Sequence, residues 1–408
     1  MAKKPFDVVV WGASGFTGQL VVEYLASQYG VDGELRWAIA GRNADKLEQV
    51  REECLPRSKR NRLPIIIADS TDPESLAQMV AKTNVVCSTV GPYAKFGTPL
   101  VAACADAGVD YCDLTGEVQW MARVIPNYQS IAEGTGARIV HTCGFDSIPF
   151  DMGTWYLQQG MMEQHGVYAN RVKGRMGRMR GGASGGTIAS MLNMLEEAQH
   201  DPSIKQIMAN PYALNPLDVP TGPDSPDQKT AVYDKDFQQW TSPFVMAAVN
   251  TRVVRRSHAL LGLPWGEDFQ YDEAMLNRSR LEAMGLSIGM GAGMIAMDFS
   301  PTRSLAARFL PSPGDGPSRR LREAGLWEAF FHGVHPSDSA NDMRLKVTGD
   351  MDPGYGSTSK MLGESAVCLA LDDTVDSGGF YTPSSAMGDA LRIRLEENAG
   401  LSFEFVDM

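Results

Sequence analysis

The sequence predicts an α/β protein whose N-terminal part is a doubly wound parallel sheet, and three observations carry that prediction. Short apolar runs rich in β-branched residues alternate with helical patterns through the first 148 residues. The runs are continuously apolar, as strands covered by helices on both faces must be. A glycine triplet separates the first run from the first helix, the place where such sheets hold a phosphate.

The elements follow in order. Asp7 to Trp11 reads as a strand, and Phe16 to Gln28 carries Leu20, Val21, Tyr24 and Leu25 on one helical face. Leu35 to Arg42 is a second strand, with Asn43 as the N-cap of the helix after it. Leu63 to Ser70 is a third, and Asp72 with Pro73 has the cap-then-proline signature of the next helix start. Asn84 to Tyr93 is a fourth, followed by a helix from Thr98 that Gly108 closes. Val109 to Glu117 and Ala137 to Gly144 complete six strands.

Between the first strand and helix lie Gly12, Ala13, Ser14, Gly15, Phe16, Thr17 and Gly18. The G-x-x-G-x-x-G spacing lets the backbone approach a pyrophosphate at the helix N-terminus, so this segment is expected to bind a dinucleotide. After Gly41, the end of the second strand holds Arg42, where an NAD site usually places a carboxylate, and Lys46 follows one turn later. Two cations there favour a 2′-phosphate, hence NADP(H). Asp69 and Ser70 are placed to meet the adenine edge or to cap the next helix. The fourth strand ends in Ser88, Thr89, Val90, Gly91, Pro92 and Tyr93, expected to meet the nicotinamide ribose and substrate, with edge packing as the alternative for Tyr93.

The length of 408 residues suggests two domains, divided near residue 148. With 43% apolar and 21% charged residues, 41 glycines and 23 prolines, the chain has the composition of a loop-rich globular enzyme. A net charge of −12 argues against nucleic acid as a partner. Six irregularly spaced cysteines without C-x-x-C fit a reduced, cytoplasmic setting. The N-terminal apolar stretch is too short for a secretory signal. Ala283 to Phe299 is apolar but falls short of the ~20 residues of a spanning helix. It is expected to be a buried or substrate-lining helix, with a membrane-surface element as the alternative.

No tyrosine has a lysine four residues later, the pairing that lowers a tyrosine pKa in short-chain dehydrogenases; Tyr355 with Lys360 is the nearest miss. His141 and Cys143 would share a strand face, leaving a nucleophilic cysteine open beside the reading as a buried thiol. Six histidines without ligand spacing give no support for a metal.

"WGASGFTG", "AGRN", "STVGPYAKFGTPLVAACADAGVDYCDLTGE" and "CGFDSIPFD", in that order, resemble the saccharopine dehydrogenase-like oxidoreductases, in the branch of the trans-acting enoyl reductases. The likeness continues through "GGASGGTIASM", "PFVMAAVNTRVVRRSHAL", "PSPGDGPSRRLREAG", "GYGSTSKMLGESA" and "TPSSAMGDALRIRL". It implies a Rossmann-type domain, a mixed α/β (α+β) substrate domain, and NADPH-dependent reduction of a C=C bond in a lipid-like acyl or acyl-thioester substrate. An amino-acid imine reductase and a non-catalytic NADP-binding scaffold at lipid surfaces are the alternatives. By this resemblance residues 380–408 pack back on the 1–148 domain, leaving 149–379 as the substrate domain.

In that second part, Pro149 opens a helix and Val172 to Met179 alternates like a strand. The loop Arg180 to Thr187 could hold an anion or form a tight turn. Arg252, Arg255 and Arg256, read on a strand, would face a phosphopantetheine or an acidic carrier protein, or form a solvated edge. Among Tyr93, Asp113, Thr115, Glu117, His141 and Asp146 at the strand ends, Tyr93, Asp113 and Asp146 are the catalytic candidates, with Tyr93 the expected proton donor; helix capping is the alternative for the acids and Thr115. A homo-oligomer and peripheral membrane contact complete the expectations.

Overall fold

The computed structural model describes residues 4–181, 185–298 and 316–407. They are organised by two seven-stranded sheets. The first contains β1 (Phe6–Trp11), β2 (Trp37–Gly41), β3 (Ile65–Ile67), β4 (Thr83–Ser88), β5 (Asp110–Asp113) and β6 (Arg138–Val140), joined by β13 (Gly379–Tyr381). Its order is β13-β6-β5-β4-β1-β2-β3, and every neighbouring pair is parallel. The order reverses between β1 and β4, so the loops after these two strands open a crevice at their carboxyl ends.

The pleat of β1 explains its uninterrupted apolar run. Val8 and Val10 enter the core under one face of the sheet, while Val9 and Trp11 enter the core under the other. The covering helices are α1 (Phe16–Gln28), α2 (Ala44–Cys54), α3 (Pro73–Val80), α4 (Tyr93–Phe96), α5 (Thr98–Ala107) and α6 (Val118–Thr135). Asn43 accepts the Lys46 N–H at 2.9 Å and Asp72 accepts the Glu74 N–H at 3.1 Å, the two caps legible in the sequence.

From β6 the chain leaves through α7 (Ile148–His165) into a mixed sheet of β7 (Arg171–Arg180), β8 (Val232–Asp234), β9 (Gln239–Ser242), β10 (Gln270–Asn277), β11 (Leu326–Val334), β12 (Met343–Gly349) and β14 (Leu401–Val406). Its order is β14-β12-β11-β7-β10-β9-β8, and only β7 and β10 pair in parallel. Helix α7 packs on this sheet through its glycines: a Cβ on Gly153 would fall 2.6 Å from the Phe331 ring. Outside the strands lie α8 (Gly185–His200), α9 (Pro202–Ala209), α10 (Ala247–Leu260), α11 (Arg280–Asp298), α12 (Arg319–Glu323), α13 (Thr358–Leu371) and α14 (Pro383–Glu397).

Three expectations change. The return of residues 380–408 is divided: β13 extends the parallel sheet, β14 edges the mixed one, and α13 packs on α1 and β1 although it precedes residue 380. Residues 247–260 are helical rather than a strand. The apolar stretch Ala283 to Phe299 forms α11 up to Asp298, with Phe299 outside the described residues. Helix α11 is not buried: Ala283 is covered, but Leu281, Ile288, Met294 and Ile295 are 64–81% exposed. No helix among the described residues is long and apolar enough to cross a membrane.

Candidate active site

The loop after β1 is shaped by its glycines. Gly12 has φ +83°, and a Cβ there would lie 2.5 Å from Val90 Cγ2 and 2.8 Å from Thr89 Oγ1, so the loops after β1 and β4 touch only because Gly12 has no side chain. A Cβ on Gly18 would lie 2.2 Å from the Gly12 carbonyl oxygen, which sets how closely α1 approaches the strand. At Gly15, the N-cap, no side chain caps the helix, and no acid occupies its first turn. The peptide dipoles of Ser14 to Thr17 therefore present a positive end free of competing carboxylates, which suits a pyrophosphate.

Around this loop, Gly41 is buried at the end of β2, and Arg42 and Lys46 stand exposed beyond it. Asp69 accepts the Thr71 N–H at 2.8 Å and its hydroxyl at 2.7 Å, which with nearby Arg42 holds its carboxyl below the usual range. It shapes the turn before α3, and the cap of that helix is Asp72; Ser70 lies between them, half-buried. Thr89 donates its hydroxyl to the Trp11 carbonyl at 3.0 Å, fastening Val90, Gly91 and Pro92 beside the glycine loop.

At the other end of the crevice the loops after β5 and β6 are tied by Asp113. This carboxylate is fully buried and accepts the Tyr111 hydroxyl (2.9 Å), the Thr115 N–H (3.0 Å) and the Thr142 N–H (3.2 Å), with His141 Nδ1 at 2.8 Å. Thr142 has φ +63°, a costly conformation for a β-branched residue. Asp113 thus has no face toward the crevice. Its buried, fully engaged carboxylate does not fit the catalytic acid the sequence suggested.

Tyr93 is also corrected. Its ring stacks on Trp120 at 5.4 Å, its hydroxyl donates to the Ser88 carbonyl at 3.2 Å, and the residue is 4% exposed. Burial pushes the hydroxyl well above its ordinary pKa. A proton donor must be open to its acceptor, and this group is enclosed. The backbone of Tyr93 does matter, because the Tyr93 and Ala94 N–H groups donate to Glu117 at 2.8 and 2.9 Å.

Asp146 is the candidate that the geometry favours. It follows β6 at the carboxyl side of the sheet and its carboxyl lies over Gly116, where a Cβ would be 3.3 Å from Asp146 Oδ2 and 3.7 Å from Val249 Cγ2. No side chain or N–H among the described residues is bonded to its carboxyl oxygens, and the residue is partly exposed. Burial alone pushes it up to about 7. A carboxyl that is protonated near neutrality and unpartnered in a crevice can give a proton to a substrate.

Residues 8–140 match the saccharopine dehydrogenase NADP binding domain. A Mycobacterium tuberculosis relative carrying the trans-acting enoyl reductase name is 40% identical over 416 residues, spanning 98% of this chain and 97% of its own. The trans-acting enoyl reductase of Mycobacterium ulcerans is 36% identical over 97% of each chain. This chain belongs to the saccharopine dehydrogenase-like oxidoreductases, among the trans-acting enoyl reductases. Yeast saccharopine dehydrogenase (L-Glu forming) shares its fold, with a TM-score of 0.54 at 13% identity, covering 98% of this chain and all of that one. The chain is thus an NAD(P)-dependent oxidoreductase, and the uncapped α1 and its glycine cradle fit the NADP that its domain family binds.

In this oxidoreductase the buried arginines of α10 serve the fold. Arg252 pairs with Asp227, Arg255 Nε donates to Asp224 at 2.5 Å, and Arg256 donates to the carbonyls of Leu214 and Phe380. All three are at most 3% exposed, so they form no docking patch for a carrier or phosphopantetheine. Cys143 is fully buried with its thiol pushed well above the ordinary range by burial, and His141 turns to Asp113 instead, so the nucleophilic-cysteine alternative fails. Thr115 Oγ1 accepts the Glu117 N–H at 3.1 Å, which closes a turn ahead of α6 rather than capping it, since the N-cap of α6 is Glu117 and no side chain bonds there. In the loop Arg180 to Thr187, residues 182–184 lie outside the described residues.

Sequence reasoning missed the chain of groups behind Asp146. Ser147 Oγ donates to Asn250 Oδ1 at 3.3 Å, Asn250 Nδ2 donates to Glu273 Oε2 at 3.0 Å, and the Tyr271 hydroxyl donates to Glu273 Oε1 at 2.9 Å. Burial pushes Glu273 up to about 8. These residues come from β10, α10 and the start of α7, and no local spacing links them.

Proposed function

We propose that this reductase uses NADPH to reduce an activated C=C bond of a lipid-like acyl substrate, with Asp146 as the proton donor. Bound NADPH supplies a hydride to the β-carbon of the enoyl group. Asp146 then gives its proton to the α-carbon, and the strained loop after β6, held by Asp113, keeps that carboxyl in place. The glycine loop, Gly41, Arg42 and Lys46 hold the adenosine end and its phosphates in this reading, with Asp69 and Ser70 at the adenine edge, and Val90, Gly91, Pro92 and the Tyr93 backbone border the nicotinamide end.

The observation that carries the reading is the carboxyl of Asp146, which no donor among the described residues engages, on a partly exposed residue at the carboxyl ends of β5 and β6. The names of the relatives supply the reaction class. The test is NADPH oxidation against a panel of enoyl thioesters by the wild type and Asp146→Asn. The reading predicts turnover with some member of the panel and its loss in the variant with NADPH binding retained. A protein that binds NADPH yet oxidises it with no enoyl substrate would leave the scaffold alternative standing.

The exposed apolar side of α11 supports a second part of this reading, contact with the lipid surface from which such a substrate would be taken. Flotation with liposomes tests it: wild type should rise with the vesicles and a double variant, Ile288→Asp with Ile295→Asp, should not.

A further inference from the structure

Phe16 opens the first turn of α1, and its ring is inserted into a socket made by the other part of the chain. Gly316 presses against it so closely that a Cβ there would lie 2.2 Å from Phe16 Cε1. The Tyr355 ring meets it edge-on with centroids 4.7 Å apart. The guanidinium of Arg322 lies over it, with Cζ 5.5 Å from the ring centroid.

Arg322 is 9% exposed, and among the described residues its side chain hydrogen-bonds from Nη1 to the Pro317 carbonyl at 2.8 Å. No salt bridge to it is formed among the described residues. Asp352 feels the Arg322 charge but forms no salt bridge with it, and its oxygens accept the Tyr355 N–H at 3.0 Å and the Gly356 N–H at 2.9 Å. Buried arginines elsewhere in this protein are treated differently: Arg175 has Asp234 at 2.8 Å and Asp272 at 2.6 Å, and Arg252 and Arg255 each have an aspartate. A buried cation is costly unless an anion compensates it.

Two sources of positive potential therefore meet at the same helix turn: the uncapped peptide dipoles of α1 and the guanidinium above Phe16, which has no salt bridge among the described residues. We propose that Arg322 is a ligand of the cofactor pyrophosphate, reaching it from across the socket so that the bound dinucleotide joins the segment 316–323 to the glycine loop. Guanidinium suits this role because its paired N–H groups match phosphate oxygens. Arg319, which reaches Glu23 on α1 at 3.3 Å, holds the same short helix against the domain.

Calorimetric titration of Arg322→Gln with NADP+, NAD+ and adenosine 2′-phosphate tests the assignment. The two dinucleotides share the pyrophosphate, so both should bind about ten- to a hundred-fold more weakly, as expected for a hydrogen bond to a charged group. Adenosine 2′-phosphate lacks the pyrophosphate and should bind as it does to wild type. Unchanged NADP+ affinity would overturn the proposal, as would an equal loss for adenosine 2′-phosphate. Hydrogen exchange of the wild-type protein decides the matter if the variant does not fold. NADP+ should slow exchange across residues 316–323 and adenosine 2′-phosphate should not; no slowing by NADP+ also overturns it.

Discussion

The carboxylate of Glu117 accepts the Ser190 hydroxyl of α8 at 2.7 Å while it holds the Tyr93 N–H at 2.8 Å. One side chain thus fastens a helix that follows the mixed sheet's first strand to the loop beside the crevice. Its burial would be costly without these three donors, so the bracket persists only while α8 stays docked.

That dependence predicts the behaviour of Glu117→Ala. Two N–H groups of α4 and one hydroxyl lose their acceptor, and α8 loses its tie to the crevice. Amide exchange in residues 190–200 should rise severalfold, with little change in β1 or β4, and exchange that rises equally across the sheet would mean general destabilisation instead.

Arg42 and Arg322 should be separable by ligand. Arg42→Asp places a negative charge where a 2′-phosphate would lie, so it should weaken NADPH by more than tenfold and NADH hardly at all. Equal losses on both nucleotides would remove Arg42 from the phosphate contact.

The proton donor has a pH signature. Asp146 must be protonated to act, and burial pushes it up to about 7, so turnover should be high below that pH and fall as pH rises through it. Asp146→Asn should lower kcat by about 10²- to 10⁴-fold and leave the NADPH dissociation constant near that of wild type. A retained pH limb in a slow Asn variant would assign the titration to another group.

Arg252 discriminates a structural role from a docking role. Removing it leaves the partly exposed Asp227 without its cation and the Met208 carbonyl without its donor, so Arg252→Ala should destabilise the fold by roughly 1–3 kcal/mol in denaturant titrations. An arginine serving a carrier protein from the surface would cost almost nothing.

How much of this was legible in the sequence depends on distance along the chain. The six parallel strands and the caps at Asn43 and Asp72 are local signals, and each appears where the pattern places it. Residues 247–260, read as a strand, form a helix whose Arg252 and Arg255 reach Asp227 and Asp224, partners that no local pattern reveals. Tyr93 and Asp113 sit at the right ends of the right strands, but a strand end does not reveal which way a side chain turns. Burial of Tyr93 against Trp120 and of Asp113 against His141 decides that, and both partners lie more than 20 residues away. Phe16 reads as one more residue of a glycine loop until residues 316 to 355 close around it.

The group behind Asp146 yields the last prediction. Glu273 is pushed up to about 8 in the fold by burial, against an ordinary value near 4.5. Between these pH values the folded chain holds a proton that the unfolded chain has released, so stability from this group is full below pH ~4.5 and is lost as pH rises through about 8. Glu273→Gln keeps a carbonyl oxygen for the Asn250 amide and cannot ionise. The variant should therefore lie closest to wild type, or below it, at pH 5 and gain relative stability steadily toward pH 9. Urea midpoints at both pH values measure this, and a difference that does not change with pH would show that Glu273 does not titrate as its burial requires.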